Sequence, residues 1–395
     1  MTDKKNKKST ELVKKVISTN KRPSISLKTK IILWSKTAGR CQFQNCLEVL
    51  NIDKITKTDN NSAYIAHIYG YAAGSERYDK IFSPKLETDI SNLMLLCDVC
   101  HRRIDEKGIG GKDYPASVLI EMKRVHEERI ELLASIKPNM DSHIVIYKAN
   151  IGEHTPVMTY ESVREFLLPN NYPAKNRAID LSFSGSYFRD KNESFWKTEV
   201  ENLQCHFDRD LLPLVNDKSI HHMSLFAFAP IPLLIKLGTL IGDKVLTSVK
   251  QYDRNLGSWN FLNIDTQTNY KLINHEISKT TVALNISLSG TISNDRITSV
   301  LGTDCSIYTL TIDKPINSFL INKKQLEDFT LKIRLVFDYI KFKYGSKTPL
   351  HIFPAMPIST AVELGRYWMP KADMPLIIYD ENKVNDGFFK TIEIN

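Results

Sequence analysis

The stretch NLMLLCDVCH, residues 92–101, decides how the first part of the chain folds. Its apolar run is typical of a short buried strand, and the pair Cys97 and Cys100 follows directly with the two-residue spacing of a metal-binding turn. A second pair, Cys41 and Cys46, lies upstream in an equally turn-rich context. The sequence therefore predicts that these four thiolates surround a single ion.

Zinc is the ion that four cysteine sulfurs hold in closed structural sites, and a small module with little core gains folding energy from it. Disulfides are the competing interpretation. They are disfavoured in the cytosol, where this chain is expected to remain. We therefore expect structural Zn²⁺ at Cys41, Cys46, Cys97 and Cys100.

Three polar residues lie between or beside these cysteines. His67 ends the strand-like run AYIAHI, Asn92 begins the second run, and His101 follows Cys100 in a predicted short helix. Strand, long loop, strand and helix form a ββα arrangement. Hydrolysis of a phosphodiester needs a His to deprotonate water, a divalent ion to polarise the phosphate, and a polar residue to hold the His ring.

The order of the Cys pair, Ala66-His67-Ile68, Asn92-Leu93 and Cys97-x-x-Cys100-His101 resembles the HNH endonucleases of the four-Cys type over residues 31–107. The resemblance implies that His67 is the general base, that Asn92 orients it, and that His101 binds the catalytic Mg²⁺. Many members of that family carry Asp where this chain has Ala66, so the metal ligands differ, and Asp105 is a candidate to assist. In the alternative, His67 and His101 merely pack inside a noncatalytic zinc module that binds DNA.

The chain after residue 143 alternates strand-like and helix-like segments, which predicts an α/β architecture of parallel strands with helical crossovers. Two passages are similar to each other: FAPIP at 228–232, which leads to Leu237-Gly238, and FPAMP at 353–357, which leads to Leu364-Gly365-Arg366. A duplicated half-domain is the economical explanation, with halves at about 143–275 and 276–395. An amphipathic helix over 115–137 is predicted to connect residues 31–114 to this region.

A ligand cleft is expected at the C-terminal ends of such strands, where aromatic rings stack bases and cations pair with phosphates. Taken singly, each candidate is more often structural than ligand-binding. The candidate ligand-binding residues are Ser184, Gly185, Pro230, Pro232, Tyr252, Arg254, Trp259, Met356, Pro357 and Arg366.

The two similar passages also resemble the SAVED domain, which consists of two fused CARF-like Rossmann units. This resemblance implies a sensor for a cyclic di- or trinucleotide that a partner nucleotidyltransferase makes in bacterial CBASS antiphage defence. The predicted fold is thus an α+β zinc-stabilised ββα-metal module followed by an α/β sensor. Ligand is expected to drive homo-oligomerisation and cleavage of double-stranded DNA. A restriction endonuclease that reads modified bases without a ligand is the second interpretation.

The composition excludes disordered and fibrous classes, since 42% of the 395 residues are hydrophobic and 25% are charged. Residues 1–30 hold ten Lys or Arg but only two acidic residues, so the net charge of +8 arises in this basic arm. Such an arm favours nonspecific contact with nucleic acid or is simply solvated. We predict no membrane span and no secretory signal, hence a cytoplasmic protein.

Overall fold

A computed structural model describes residues 24–183, 188–277, 280–382 and 387–395. Most of the basic arm, residues 1–23, therefore lies outside the described residues. The chain divides into two compact units, one ending at Ile136 and the other beginning at Lys137. Within the described ranges, no helix is both long and apolar enough to cross a membrane.

The first unit is built around a two-stranded antiparallel sheet. Its elements are α1 (Leu27–Thr37), β1 (Tyr64–His67), α2 (Phe82–Lys85), β2 (Leu93–Leu96), α3 (Asp98–Ile104), α4 (Gly110–Asp113) and α5 (Ala116–Ala134). Tyr64 pairs with Leu96 and His67 pairs with Leu93. Strand β2 is buried along its whole length, and α3 starts two residues after it ends. The order β1, β2 and α3 is the ββα arrangement that the sequence predicts.

Helix α5 corresponds to the connector predicted over residues 115–137, and it packs on α1. Glu127 of α5 accepts a hydrogen bond from the Lys36 ammonium at 3.2 Å. His126 donates from Nε2 to the Thr37 carbonyl at 3.2 Å, and burial lowers the pKa of His126, which favours the neutral ring. These contacts make α5 an integral part of the first unit.

The second unit contains two sheets with helices between their strands. Its elements are β3 (Asp141–Lys148), α6 (Tyr160–Val163), β4 (Tyr172–Pro173), β5 (Ile179–Asp180), α7 (Glu193–His206), α8 (Leu212–Asn216), β6 (His222–Phe228), α9 (Ile231–Ile241), β7 (Leu246–Val249), β8 (Lys271–His275), β9 (Val282–Ser287), α10 (Asn294–Leu301), β10 (Ser306–Thr311), α11 (Lys323–Tyr344), β11 (Leu350–Ala355), α12 (Ile358–Tyr367), β12 (Leu376–Asn382) and β13 (Gly387–Ile394).

The strand pairing confirms the predicted α/β fold. The first sheet has the order β4-β3-β6-β7, with β5 also beside β3, and all of its pairs are parallel. The second sheet has the order β13-β12-β11-β9-β10-β8, in which β9 to β12 pair in parallel and the two edge strands pair antiparallel. Parallel strands buried under helices account for the continuous apolar runs in the sequence.

The boundary between the two halves lies earlier than the predicted division near residue 275. Strand β8 pairs with β10 and therefore belongs to the second sheet. Its sequence, KLINH, is mostly polar, and four of its five residues are exposed. An exposed edge strand carries no continuous apolar run, so the apolar pattern of the sequence did not mark this strand.

The two halves meet along α9 and α12, the helices that follow the similar passages FAPIP and FPAMP. The helices cross at Gly238 and Gly365, where the two backbones touch without an intervening side chain. One hydrophobic core then runs through both sheets and includes Leu225 of β6 and Ile352 of β11. The crossing gives the duplicated sequence pattern a structural explanation.

The carboxyl of Asp380 in β12 should make the stability of the second unit depend on pH. Burial, with added repulsion from Asp190 and Glu381, raises the pKa of Asp380 to about 7. In the unfolded chain the pKa is about 3.9, so the native state holds the extra proton between these values and loses stability as pH rises through 7. We expect Asp380→Asn to raise the melting temperature of the second unit by about 5 °C at pH 8, on the basis of roughly 2 kcal/mol, and to leave it unchanged near pH 4.

Calorimetry at the two pH values checks this expectation. The exposed Asp304 provides a matched control, because Asp304→Asn should shift the transition at neither pH. An equal shift for Asp380→Asn at pH 4 and pH 8 would contradict the assigned cause.

Candidate functional site

The four predicted cysteines come together in the first unit. The sulfurs of Cys41, Cys46, Cys97 and Cys100 all lie within 4.8 Å of one another, and those of Cys46 and Cys97 are 3.9 Å apart. The backbone N–H of Cys97 also donates to the Cys41 sulfur at 3.3 Å. Four sulfurs at about 2.3 Å from one tetrahedral ion lie roughly 3.8 Å apart, so the cluster has the dimensions of a metal site.

The electrostatics of the cluster require a cation if the sulfurs are to be thiolates. Burial raises the pKa of Cys41 to about 12, and burial followed by repulsion from Cys41 raises the pKa of Cys100 further. For Cys97, burial also raises the pKa, but hydrogen bonds with Cys100, Cys46 and Cys41 lower it overall. A divalent ion removes these penalties, because thiolates are the form that binds metal.

His67 stands at the end of β1 with its ring fixed by the backbone. Its Nε2 lies 2.9 Å from the carbonyl oxygen of Glu87. A carbonyl only accepts hydrogen bonds, so Nε2 carries a proton in this contact. The residue is 7% exposed.

Asn92 ties together the two loops that hold His67. Its Oδ1 accepts from the backbone N–H of Tyr69 at 2.7 Å, and its Nδ2 donates to the carbonyls of Tyr69 at 3.3 Å and Leu86 at 3.2 Å. Leu86 precedes Glu87, whose carbonyl holds the His67 ring. These hydrogen bonds connect Asn92 to His67 through the backbone, and Asn92 itself is buried.

His101 and Asp105 lie one turn apart along the end of α3. The Nε2 of His101 is 3.6 Å from an Asp105 oxygen, and the rings of His101 and Tyr64 lie 5.0 Å apart. The side chain of His101 is 25% exposed and that of Asp105 is 48% exposed. Two ligand atoms at about 2.1 Å from one ion lie roughly 3 to 4 Å apart, so this spacing fits a shared divalent cation within reach of solvent.

Arg77 is the residue of this site that sequence reasoning missed. Its side chain is only 4% exposed, and its guanidinium donates to the carboxylate of Asp105 at 2.8 Å and to the carbonyl of Ile68 at 2.9 Å. It also contacts the carbonyls of His67 and Ile104. A cation in a turn-rich loop is ordinarily solvated, so no signal in the sequence marks it.

In the second unit, the similar passages bring Pro230 and Pro357 to equivalent places. Each precedes a helix, α9 or α12, at the carboxyl end of a strand, β6 or β11. Gln251, which follows β7, joins the two halves there, because its Oε1 accepts from the backbone N–H of Ser359 at 3.1 Å and from its hydroxyl at 2.7 Å. This contact links the segment after β7 to the first turn of α12.

The predicted aromatic and cationic candidates gather beside β6. Tyr252 and Trp259 have ring centroids 5.1 Å apart, and Trp259 packs against Phe226 with only 7% of its surface exposed. The Arg254 guanidinium lies 5.9 Å from the centre of the Phe228 ring. Trp259 is thus largely a core residue, whereas Arg254 is exposed.

The remaining candidates are distributed differently. Pro232 and Met356 are buried. Arg366 is at the far end of α12, where it donates to the Gly242 carbonyl at 3.1 Å and pairs with Glu363 at 2.8 Å. It therefore stands apart from the cluster around Pro357. Ser184 and Gly185 lie outside the described residues.

Two further features near β3 and β7 were not predicted. Burial lowers the pKa of Lys250 to about 8, and its ammonium donates to the Phe166 carbonyl at 2.7 Å. An open pocket of about 440 Å³ lies beside β3, lined by apolar residues together with Lys148 and Asp180, which pair at 2.8 Å. No sequence motif predicts either feature, because each is formed by side chains that only the tertiary fold brings together.

Comparison with known families gives a match within the second unit. Residues 203–394 match the family described as SMODS-associated and fused to various effectors sensor domain, abbreviated SAVED. No curated protein matches the chain.

Solved structures give weaker similarities. The Cap4 SAVED/CARF-domain containing receptor of Acinetobacter baumannii is 13% identical with a TM-score of 0.42, covering 80% of this chain and 66% of that one. The same receptor with the cyclic trinucleotide 2'3'3'-cAAA is 13% identical with a TM-score of 0.43, covering 80% and 67%. The Cap4 receptor of Moraxella osloensis is 12% identical with a TM-score of 0.38, covering 71% and 58%. This chain spans about two thirds or less of the length of these receptors.

The fold and the family match together define the class: the C-terminal part of the chain is an α/β sensor domain. Residues 203–394 are a SAVED domain, preceded by a unit with a four-cysteine cluster.

Proposed function

We propose that the protein is a DNA endonuclease effector of CBASS antiphage defence that a cyclic oligonucleotide activates. In this proposal the SAVED domain binds the nucleotide, ligand drives homo-oligomerisation, and the first unit cleaves double-stranded DNA. The observation that carries the proposal is the arrangement of His67, Asn92 and His101 on one ββα element beside the cysteine cluster. A structural zinc site alone does not require these three residues in that order.

His67 acts as the general base in this mechanism. The Glu87 carbonyl fixes the ring through Nε2, and in this proposal the ring takes the proton of the attacking water. Asn92 keeps the Glu87 loop in place through Leu86. A His ring that the backbone holds through one nitrogen needs no reorientation during proton transfer.

His101 Nε2 and the nearby Asp105 oxygen would hold the catalytic divalent cation, which we propose to be Mg²⁺. When bound, this ion polarises the scissile phosphate and stabilises the leaving oxygen. Asp105 would compensate for Ala66, which offers no ligand atom. We propose Zn²⁺ for the four cysteines, because soft thiolates in a closed tetrahedral set favour it.

The sensor side of the proposal rests on the SAVED match over residues 203–394. Helix N-termini and backbone N–H groups at the ends of β6 and β11 suit phosphate groups, and the rings near Phe228 suit bases. A ligand activates only if it binds the assembled state more tightly than the unassembled one. The proposal therefore includes a higher ligand affinity in the assembled state than in the unassembled state.

Plasmid cleavage with Mg²⁺, with and without a panel of cyclic di- and trinucleotides, tests the proposal. We expect cleavage with one ligand only. His67→Ala should lower the cleavage rate at least about 100-fold, the usual range for a general base, while ligand-induced assembly persists in light scattering. The exposed His154 supplies the control, since His154→Ala should cleave like the wild type.

Other outcomes decide between the alternatives. Cutting without any ligand would favour a restriction endonuclease. DNA binding without cutting under every condition would favour a noncatalytic zinc-containing regulator. Loss of assembly in His67→Ala would contradict the proposal that the first unit cleaves DNA while ligand binding to the SAVED domain drives assembly.

A further inference from the structure

We infer that Arg77 is a positioning residue that fixes the Asp105 carboxylate and thereby sets the affinity of the first unit for its divalent cation. The inference rests on the proposed function in taking His101 and Asp105 as the metal-binding pair. It concerns a residue that neither the sequence motifs nor the family resemblance singles out.

The two oxygens of Asp105 have different partners. One accepts from the Arg77 guanidinium at 2.8 Å, and the other lies 3.6 Å from His101 Nε2. A carboxylate that is free to rotate offers either oxygen, or both, to an ion. With one oxygen held by a charge-assisted hydrogen bond, Asp105 presents a single oxygen on the side of His101.

Arg77 can hold that carboxylate because its own position is fixed. Its Nε donates to the Ile68 carbonyl at 2.9 Å, and its remaining nitrogens contact the carbonyls of His67 and Ile104. These carbonyls belong to the end of β1 and the end of α3. The planar fork of arginine reaches all of them at once, which the single ammonium of lysine does not.

The same contacts connect the two halves of the proposed chemistry. The guanidinium touches the backbone of His67, the proposed base, and the carboxylate of Asp105, the proposed metal ligand. The buried Arg77 also neutralises the charge of Asp105 in part. Cation affinity then depends on the orientation of the ligands more than on their net charge. Partners of metal ligands typically change metal affinity 10- to 100-fold when they are replaced, roughly the scale expected here.

Mn²⁺ binding to the full-length protein, followed by electron paramagnetic resonance without DNA, tests the inference. We expect Arg77→Lys to weaken Mn²⁺ binding about 10-fold while the zinc content stays at the wild-type value and the first unit still unfolds in one cooperative transition. Arg102, an exposed residue of α3 paired with Asp98, gives the matched control. Arg102→Lys should bind Mn²⁺ like the wild type.

A double-mutant cycle separates positioning from a general structural role. Asp105→Asn should itself weaken Mn²⁺ binding, and adding Arg77→Lys to it should weaken binding little further, because Arg77 acts through Asp105. Equal losses from Arg77→Lys with and without Asp105, or unchanged affinity in Arg77→Lys, would overturn the inference. So would a wild-type protein without a Mn²⁺ site. If the Mn²⁺ results hold but no DNA is cut with any ligand, the proposed nuclease fails while the role of Arg77 stands.

Discussion

Replacing Cys97 by serine is expected to release the metal and unfold the first unit. Cys97 contributes a sulfur and also precedes α3, so its loss removes a ligand at the point where β2 joins the helix. Structural zinc contributes roughly 10 to 16 kcal/mol to the folding of small modules. The first unit should therefore lose its calorimetric transition and its bound zinc, whereas the transition of the second unit should remain.

The exposed Cys205 in α7 is the matched control, because it lies far from the cluster in sequence and is not one of the four clustered cysteines. Cys205→Ser should keep one zinc per chain, measured by atomic absorption, and a wild-type melting profile. A Cys97→Ser protein that retains a full equivalent of zinc and an unchanged first transition would refute the role assigned to the cluster. Removal of zinc from the wild type by a strong chelator should reproduce the Cys97→Ser result.

The cysteine cluster could be predicted from sequence because the residue type and the short spacing within each pair already indicate a metal site. Each pair of cysteines lies within a single turn, and few other arrangements use two such pairs in one small module. His67 and Asn92 could be singled out as candidates for a similar reason, since each adjoins a strand that its apolar neighbours indicate. The hydrogen bond from His67 to the Glu87 carbonyl could not be predicted, because it depends on the conformation of a loop 20 residues downstream.

Arg77 and strand β8 show where sequence reasoning stops. The partners of Arg77 are carbonyls and a carboxylate from two separate segments, residues 67–68 and 104–105, and no pattern of residue types predicts backbone acceptors. Strand β8 is polar because it is an exposed edge, so its place in the second sheet follows from pairing with β10 alone. Both features depend on tertiary contacts that leave little trace in local composition.

The similar passages around Gly238 and Gly365 could be recognised as a repeat, but the reason for the two glycines is visible only in three dimensions. A Cβ on Gly365 would lie 2.0 Å from the Ile235 carbonyl oxygen and 2.9 Å from the Gly238 Cα. A Cβ on Gly238 would lie 2.1 Å from the Val362 carbonyl oxygen. The obstructing atoms belong to the backbone, so the helices must separate to admit even a methyl group.

Gly365→Ala is accordingly expected to destabilise the second unit by about 3 kcal/mol, the upper end of the usual range for overpacked core sites. Gly238→Ala should cost a similar amount. The double variant should cost less than the two single changes together, because the first substitution already moves the helices apart. Urea denaturation followed by circular dichroism measures all three free energies of unfolding.

Gly290 in the loop after β9 is the control for these substitutions, because a Cβ there would meet open space. Gly290→Ala should change the free energy of unfolding by less than about 0.5 kcal/mol. If Gly365→Ala changes the free energy of unfolding as little as Gly290→Ala does, α9 and α12 do not cross as closely as described. Because these helices begin at Pro230 and Pro357, their separation should also weaken the binding of any ligand held at the ends of β6 and β11. Ligand binding by Gly290→Ala should stay at the wild-type level.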